Sequence, residues 1–242
     1  MTNAQTQPYG ALRPLALLAI GRTGADIERL VREVRRKTRR EQRGITWSDL
    51  EQTLLASQLR MSDDLRWRTA VHEAGHAIAF TLTGVAEVIS ATVGIESIGQ
   101  VSSRPNNHLA QTEAWLMNFI ACLLAGRIAE LIVVGEPLAG AGGSDDSDLA
   151  RATNHALAAE TRLGFSDHQP LVYRSEGFSV SQLNLDRQLT ERVNARLLVA
   201  ERAAREMLET RREDLMAIAT RLNDVGIMTG DEVRHMLYIV DG

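Results

Sequence analysis

The seven residues 71–77, Val-His-Glu-Ala-Gly-His-Ala, constrain this chain more than any other stretch of it. They lie within a run that starts after two aspartates and stops at Gly84. Aspartate is a good N-terminal cap and glycine commonly ends a helix, so we predict a helix from Asp63 or Asp64 to about Leu82. The motif is therefore expected on a helix, with apolar neighbours on both sides.

Two histidines four residues apart lie on one face of a helix, so the rings of His72 and His76 can bind one metal ion. Two imidazoles, one further protein ligand and a water make the open tetrahedral site that catalytic zinc uses. Glu73 follows the first histidine, where its carboxylate can take a proton from that water. The alternative is an ordinary helix with two surface histidines, but the capped and apolar context favours a metal site.

The third ligand must be an aspartate, a glutamate or a histidine, and the residues alone leave it open. Glu130 lies in a long apolar run, and Asp145, Asp146 and Asp148 follow a glycine-rich loop. The aspartates have a second explanation, because carboxylates favour helix N-termini through the helix dipole. The remaining histidines are scattered, and we interpret them as surface or core residues: His108, His155, His168 and His235.

The apolar pattern predicts a fold that is mainly α with a small β element. Aromatic content is low, at 4%, and the abundant Ala, Leu, Arg and Glu favour helix. Val, Ile, Ser and Gly at 88–104 predict two or three short strands, the only convincing β structure in the sequence. Helices are predicted at 24–44, in a short run that follows a capping box of Ser48 and Glu51, at 149–164, at 186–209 and in two shorter runs beyond. The helix predicted at 112–134 is expected to be the central core helix.

Bulk properties limit the partners. The net charge of −4 gives no reason to expect nucleic acid or an anionic membrane as the main partner. We interpret the basic run at 32–43 as a solvated helix face rather than a patch for nucleic acid or another partner. The best candidate for a membrane-spanning run, 11–21, is short and interrupted, so we expect no such helix. The single cysteine, Cys122, lies in an apolar run and is interpreted as a buried hydrophobic residue rather than a reactive thiol.

Three stretches of the chain carry a resemblance to a known family. They are HEAGHAIA at 72–79, LLAGRIAELIVVG at 123–135 and SDDSDLARAT at 144–153. Together they resemble the peptidase domain of the FtsH-type AAA+ zinc proteases. The pattern of that family is H-E-A-G-H, then G-R-x-A-E, then T-G-A-x-x-D-[LI]-x-x-A-T. The resemblance extends over most of the chain, including the helix predicted at 186–209.

The resemblance implies a third ligand that composition does not identify. Aligned on D-L-x-x-A-T, the aspartate ligand of the family corresponds to Asp148 and not to Asp145 or Asp146. A Zn²⁺ ion held by His72, His76 and Asp148 is therefore expected. The loop departs from the family, because AGGSDDSD replaces T-G-A-x-x-D.

Two glutamates also acquire expected roles. Glu73 is expected to be the general base that activates the water. Glu130 is the glutamate of G-R-x-A-E, and it is expected either to orient a metal ligand through a hydrogen bond or to be purely structural.

The segment GRTGADIERLVREV at 21–34 resembles the small helical lid of an AAA+ ATPase. We therefore predict a disordered tail at 1–14, a lid-like helical unit at 15–60 and a zinc peptidase domain at 61–242. No G-x-x-x-x-G-K-[ST] phosphate loop occurs, so we expect no ATPase activity in this chain. The chain is then either a fragment of a longer protease or a shortened relative, cytoplasmic as given and membrane-tethered if an N-terminal part is missing.

The leading hypothesis is a zinc-dependent endopeptidase that cleaves unfolded polypeptides, bound in extended form along the β edge at 88–102. The resemblance further implies a homo-oligomer, a hexamer, served by an AAA+ ATPase module in cis or in trans. The alternative is a non-proteolytic relative that keeps the fold as a metal-binding scaffold or regulator.

Overall fold

The computed structural model describes residues 22–56, 61–95, 98–175 and 183–237, with a few positions between 12 and 19. The predicted tail at 1–14 lies outside these residues, apart from position 12. The fold is mainly α with a small sheet, as predicted. Its helices are α1 Gly24–Arg40, α2 Trp47–Ala56, α3 Asp63–Thr83, α4 Glu113–Val133, α5 Asp148–Thr161, α6 Arg187–Thr210, α7 Arg212–Val225 and α8 Gly230–Met236, and its strands are β1 Ala86–Val93, β2 Gly99–Pro105 and β3 Ile227–Thr229.

Helix α3 carries the histidine motif, and its ends are well defined. Its N-cap is Ser62, whose hydroxyl accepts a hydrogen bond from the Leu65 N–H at 3.2 Å, so the prediction of Asp63 or Asp64 as the cap was wrong. The two aspartates instead occupy the first turn, where they favourably oppose the helix dipole. Gly84 ends the helix with a φ of 65°, a left-handed conformation that glycine adopts without steric cost.

Helices α3 and α4 cross at a contact between small residues. A side chain at Gly75 would place its Cβ 2.6 Å from the Ala125 carbonyl oxygen and 2.7 Å from the Ala129 Cβ. Glycine therefore lets the two backbones approach closely, and this approach brings α4 against the histidine face of α3. On its other side α4 packs against α6, so it is the central helix of the main core.

The central helix α4 also bears on the expectation that no helix spans a membrane. Among the described residues it is the one helix whose length and composition would suffice to cross a membrane, with a mean hydropathy of 1.9. A search for uninterrupted apolar runs passes over it because Arg127 and Glu130 interrupt the pattern. Sixty-one per cent of the most apolar 18-residue stretch of this helix is buried within the fold. The burial agrees with the predicted role as a core helix.

Among the described residues, the sheet has three antiparallel strands in the order β2-β1-β3. Two of them were predicted at 88–104, but β3 was not, since three residues are too few to show an alternating pattern. Strand β3 pairs with the C-terminal half of β1, as in the pair Ala91 and Met228. Strand β2 is left at the edge of the sheet, with most of its side chains half-buried or exposed.

The N-terminal helices form a small unit with its own apolar cluster, made by Leu18, Leu30, Val34 and Leu54. The predicted capping box of Ser48 and Glu51 was placed two residues too late. The Thr46 hydroxyl accepts from the Asp49 N–H at 3.3 Å, and the Thr46 N–H donates to the Asp49 carboxylate at 2.9 Å. Arg43 also pairs with this carboxylate and, with Thr46, holds the pKa of Asp49 well below its usual value.

Candidate metal centre

Three side chains bring their donor atoms together at the crossing of α3 and α4. The Nε2 atoms of His72 and His76 are 3.0 Å apart, and Oδ2 of Asp148 lies 3.3 Å and 3.1 Å from them. Zinc ligands at 2.0–2.1 Å in a tetrahedral arrangement are separated from each other by about 3.3–3.4 Å. The triangle therefore has nearly the dimensions of one face of a zinc tetrahedron.

Local structure positions each of the three residues. The two histidines lie one turn apart on α3, with their rings 4.7 Å between centroids. Asp148 is the first residue of α5, whose N-cap is Ser147: the Ser147 hydroxyl accepts from the Ala150 N–H at 3.3 Å and donates to the Ser144 carbonyl at 2.7 Å. The serine cap therefore fixes the direction in which the chain enters α5, and with it the position of the aspartate.

Hydrogen bonds fix which nitrogen of each histidine faces the centre. Nδ1 of His76 contacts the Cys122 carbonyl oxygen at 2.8 Å, and a carbonyl only accepts, so this nitrogen carries a proton. Nδ1 of His72 contacts a carboxylate oxygen of Glu130 at 2.5 Å and donates in the same way. Each Nε2 atom then faces the shared centre with Asp148 and offers a lone pair once any proton on it is lost, as metal binding requires.

Glycine at position 126 leaves the space at the centre of this triangle open. A Cβ there would lie 2.5 Å from the Nε2 atoms of both histidines, too close for the rings to keep their positions. The donor set, its spacing and this cradle all fit a zinc ion. Among the described residues, His72, His76 and Asp148 form the one group of at least three acidic, histidine or cysteine side chains with this spacing.

Glu130 connects the first histidine to the loop before Asp148. Its side chain is completely buried, and its second oxygen accepts from the Leu138 N–H at 2.5 Å. One carboxylate therefore holds a ring of α3 and the start of the loop at 138–147 in a fixed relation. Of the two expectations for Glu130, the contacts favour the hydrogen-bond partner that orients a ligand.

Glu73 lies beside the triangle and against the edge strand. It is only 7% exposed, and burial, the largest influence, raises the pKa of its carboxyl. A Cβ at Gly99 would approach the Glu73 Oε1 atom to 2.5 Å and the Thr69 Cγ2 atom to 2.4 Å. The first residue of β2 is therefore in close contact with the carboxylate expected to act as the base.

The charges within the triangle oppose each other. Burial would lower the pKa of His72, but its hydrogen bonds to Asp148 and Glu130 outweigh burial and raise the pKa to about 10. Burial would raise the pKa of Asp148, yet the two histidines lower it far below the usual range. A metal must therefore compete with a proton at His72, and binding becomes weaker as the pH falls.

The other candidates for the third ligand lie elsewhere. Asp145 and Asp146 are exposed, and the Ser144 hydroxyl lowers the pKa of Asp146 through a hydrogen bond. The ring of His155 packs edge-on against Phe119, with 5.0 Å between centroids. The exposed histidines at 108, 168 and 235 are not in the triangle.

The interpretation of Cys122 as a buried residue is correct. It is fully buried, and burial raises the pKa of its thiol to about 12. Its contribution to the site comes from its backbone carbonyl, which no side-chain pattern can reveal. The part of Gly126 was also missed, although its place in G-R-x-A-E beside the glutamate could have suggested it.

Comparison with known proteins agrees with this geometry. The model of peptidase family M41 matches residues 59–236. The chain is similar to the ATP-dependent zinc metalloproteases FtsH 1 and FtsH 2 of Symbiobacterium thermophilum, at 33% and 30% identity over 96% of its length. It is also similar to the ATP-dependent zinc metalloprotease FtsH of Caldicellulosiruptor bescii, at 28% identity over 98% of its length.

The chain spans 40% to 42% of the length of these relatives. The family match covers the histidine helix, the central helix and the helix that begins with Asp148. The chain belongs to peptidase family M41.

Proposed function

We propose that the chain is a zinc-dependent endopeptidase that hydrolyses peptide bonds of unfolded polypeptides. The observation that carries this proposal is the triangle of His72, His76 and Asp148 with the buried carboxylate of Glu73 beside it. Membership in a peptidase family and the names of the zinc metalloproteases support the choice of Zn²⁺ as the cofactor. Water would complete the open tetrahedral site.

The residues of the site have separate tasks in this mechanism. When bound, Zn²⁺ acts as a Lewis acid that polarises the scissile carbonyl and lowers the pKa of a water to about 7. Glu73 accepts a proton from this water as it attacks the carbonyl, and then delivers the proton to the departing amine nitrogen. The raised pKa of the Glu73 carboxyl suits a group that must both take up and release a proton. Glu130 keeps the His72 ring oriented throughout.

The edge strand β2 supports the proposed mode of substrate binding. In the described part of the chain it pairs with β1 on one side only, and its first residue touches Glu73. An extended peptide added along this edge would form main-chain hydrogen bonds that are independent of its side chains. Such binding suits unfolded polypeptides, and it brings a peptide carbonyl close to the base.

We also propose that this chain lacks ATPase activity and is served by an AAA+ ATPase module in cis or in trans. Its sequence contains no G-x-x-x-x-G-K-[ST] phosphate loop, while the relatives are named as ATP-dependent enzymes. A hexameric ring and a cytoplasmic location, with a membrane tether if an N-terminal part precedes this chain, complete the proposal. They rest on the family resemblance.

Casein cleavage and zinc content, measured on the wild type and on Glu73→Gln, test the proposed function. The wild type should bind one zinc and cleave casein. Glu73→Gln should keep the zinc and lose about 10²–10⁴-fold in rate, since it cannot accept the proton. Bound zinc without cleavage in either protein would overturn the peptidase proposal and favour the metal-binding scaffold.

A further inference from the structure

One side of α1 carries a row of exposed arginines, here called the arginine face. At 3.6 residues per turn, its members fall within an arc of about 140° and along about 16 Å of the helix. The one acidic residue within this arc, Glu28, pairs with Arg32 at 3.7 Å. The face consists of Arg29, Arg32, Arg35, Arg36, Arg39 and Arg40.

The opposite side of α1 fixes the direction in which these arginines point. Leu30, Val34 and Thr38 are buried there, and Leu30 and Val34 belong to the apolar cluster of the N-terminal unit. Rotating the helix to hide the arginines would expose this cluster. The arginine face is therefore presented to solvent as one side of a fixed helix.

Four arginines of the face have no carboxylate partner in the described part of the chain: Arg35, Arg36, Arg39 and Arg40. They stand three and four residues apart, so their like charges repel along the helix. The helix dipole offsets this repulsion for the last turn only. A structural role thus accounts for part of the face, and the remainder costs stability unless an anion covers it.

The stretch of chain that contains the arginine face differs in charge from the rest of the chain. Residues 29–43 contain eight basic and two acidic side chains, a net charge of +6, whereas the whole chain has −4. The other 227 residues therefore carry −10 between them. An anionic surface would attract this one side of the molecule and repel the remainder, which orients the chain.

The chemistry of the face selects phosphate as its ligand. Guanidinium groups bind phosphate oxygens in pairs, which lysine cannot do. Apart from arginine itself, residues 24–40 contain no side chain suited to stack on or read a base, such as an aromatic residue, asparagine or glutamine. We propose that the arginine face binds the chain to the phosphate groups of an anionic phospholipid bilayer, a flat surface that meets the helix from one side. This proposal is independent of the proteolytic function.

Sedimentation with vesicles tests the proposal on the whole chain. The wild type should bind vesicles of phosphatidylglycerol and phosphatidylcholine at low salt, bind pure phosphatidylcholine much more weakly, and be released by added salt. The variant Arg35→Gln/Arg36→Gln/Arg39→Gln/Arg40→Gln should bind at least about 30-fold more weakly, because each basic residue near such a surface contributes about fivefold. Its helix content should not fall.

A matched control removes four exposed arginines elsewhere, as Arg187→Gln/Arg202→Gln/Arg212→Gln/Arg221→Gln. It changes the net charge equally and should retain most of the vesicle binding. Three results would each overturn the proposal: no binding by the wild type, an equal loss in both variants, or tighter binding of duplex DNA than of vesicles at equal phosphate concentration. The last would assign the face to nucleic acid instead.

Discussion

Two buried glutamates connect helices in this fold, and their surroundings differ. Glu130 on α4 is fully buried, and its partners in the described chain are the His72 ring and the Leu138 N–H, with no guanidinium or ammonium group. Glu160 on α5 is 5% exposed and accepts from Arg192 at 3.0 Å and from Arg196 at 2.5 Å. Within the described chain, the charge of the Glu130 carboxylate is balanced only by what His72 binds. The charge of the Glu160 carboxylate is balanced by two arginines of the fold.

This difference separates the metal centre from the support of the fold. Arg196 also donates to the Glu113 carboxylate and to the Phe165 carbonyl, each at 2.5 Å, so it connects α6 to α4 and to the loop after α5. Changes around Glu160 should therefore alter stability and leave metal binding nearly intact. Changes around Glu130 should weaken metal binding and leave stability nearly intact.

The largest effect is expected from Gly126→Ala, which inserts a methyl group between the two histidines. Alanine is favoured over glycine inside a helix, so the variant should fold. Zinc affinity should fall by more than the roughly 10–100-fold that loss of an orienting partner costs, because the new methyl group lies 2.5 Å from the Nε2 atoms of both histidines and must displace their rings. Chelator competition measures this, with circular dichroism as the control for folding. Zinc bound as tightly as in the wild type would show that the ion lies elsewhere.

Glu130→Gln and Glu160→Gln form the direct comparison. The first should weaken zinc binding by about 10–100-fold, since the His72 ring loses its charged acceptor. The second should leave the affinity within about twofold. Both are measured by competition with a chromophoric chelator at one pH. Equal losses in the two variants would remove the distinction drawn between the two carboxylates.

Arg196→Ala should lower the free energy of unfolding by about 2 kcal/mol without loss of zinc. Removal of one partner of a buried ion pair costs about 3–5 kcal/mol, and here Arg192 remains to compensate part of the charge of Glu160. Arg187→Ala, whose ion pair with Glu191 is exposed, is the control and should change stability by less than about 0.5 kcal/mol. Urea denaturation measures both, and equal effects would contradict the assignment.

The smallest effect is a dependence of stability on acid. Burial would raise the pKa of Glu160, but Arg196, Ser166 and Arg192 outweigh it and lower the pKa. A carboxyl whose pKa is lowered by folding stabilises the fold at pH values above its ordinary pKa, about 4.3. This contribution is lost as the pH falls through the pKa of the carboxyl in the folded chain. Unfolding experiments in excess chelator should show a smaller loss of stability below pH 4.5 in Glu160→Gln than in the wild type. An identical pH dependence would count against the ion pairs.

The elements that local sequence controls were predicted well. The histidine helix, the central helix and their glycine and threonine ends follow from capping and periodicity over a few residues. The caps at 62 and 46 were misplaced because serine or threonine competes with nearby polar residues for the same N–H groups. Strand β3 exists only through its pairing with β1, which local patterns do not contain.

The metal centre required more than local patterns. The pair of histidines was evident from a spacing of four, but Asp148 is 72 residues from His76 in the chain. Only the family motif distinguished it from Asp145 and Asp146. The family motif also suggested Glu130 as an orienting partner, but the ring that it holds depends on how α4 lies against α3. The Leu138 N–H and the Cys122 carbonyl are revealed by tertiary packing alone.

The zinc stoichiometry of the wild type, Asp148→Asn and Asp145→Asn tests the central claim most directly. Purified proteins would be dialysed against trace zinc and measured by elemental analysis, with circular dichroism to confirm folding. The triangle of His72, His76 and Asp148 predicts one zinc per chain in the wild type and in Asp145→Asn, and none in Asp148→Asn. Retention of zinc by Asp148→Asn together with its loss from Asp145→Asn would contradict this account of the site.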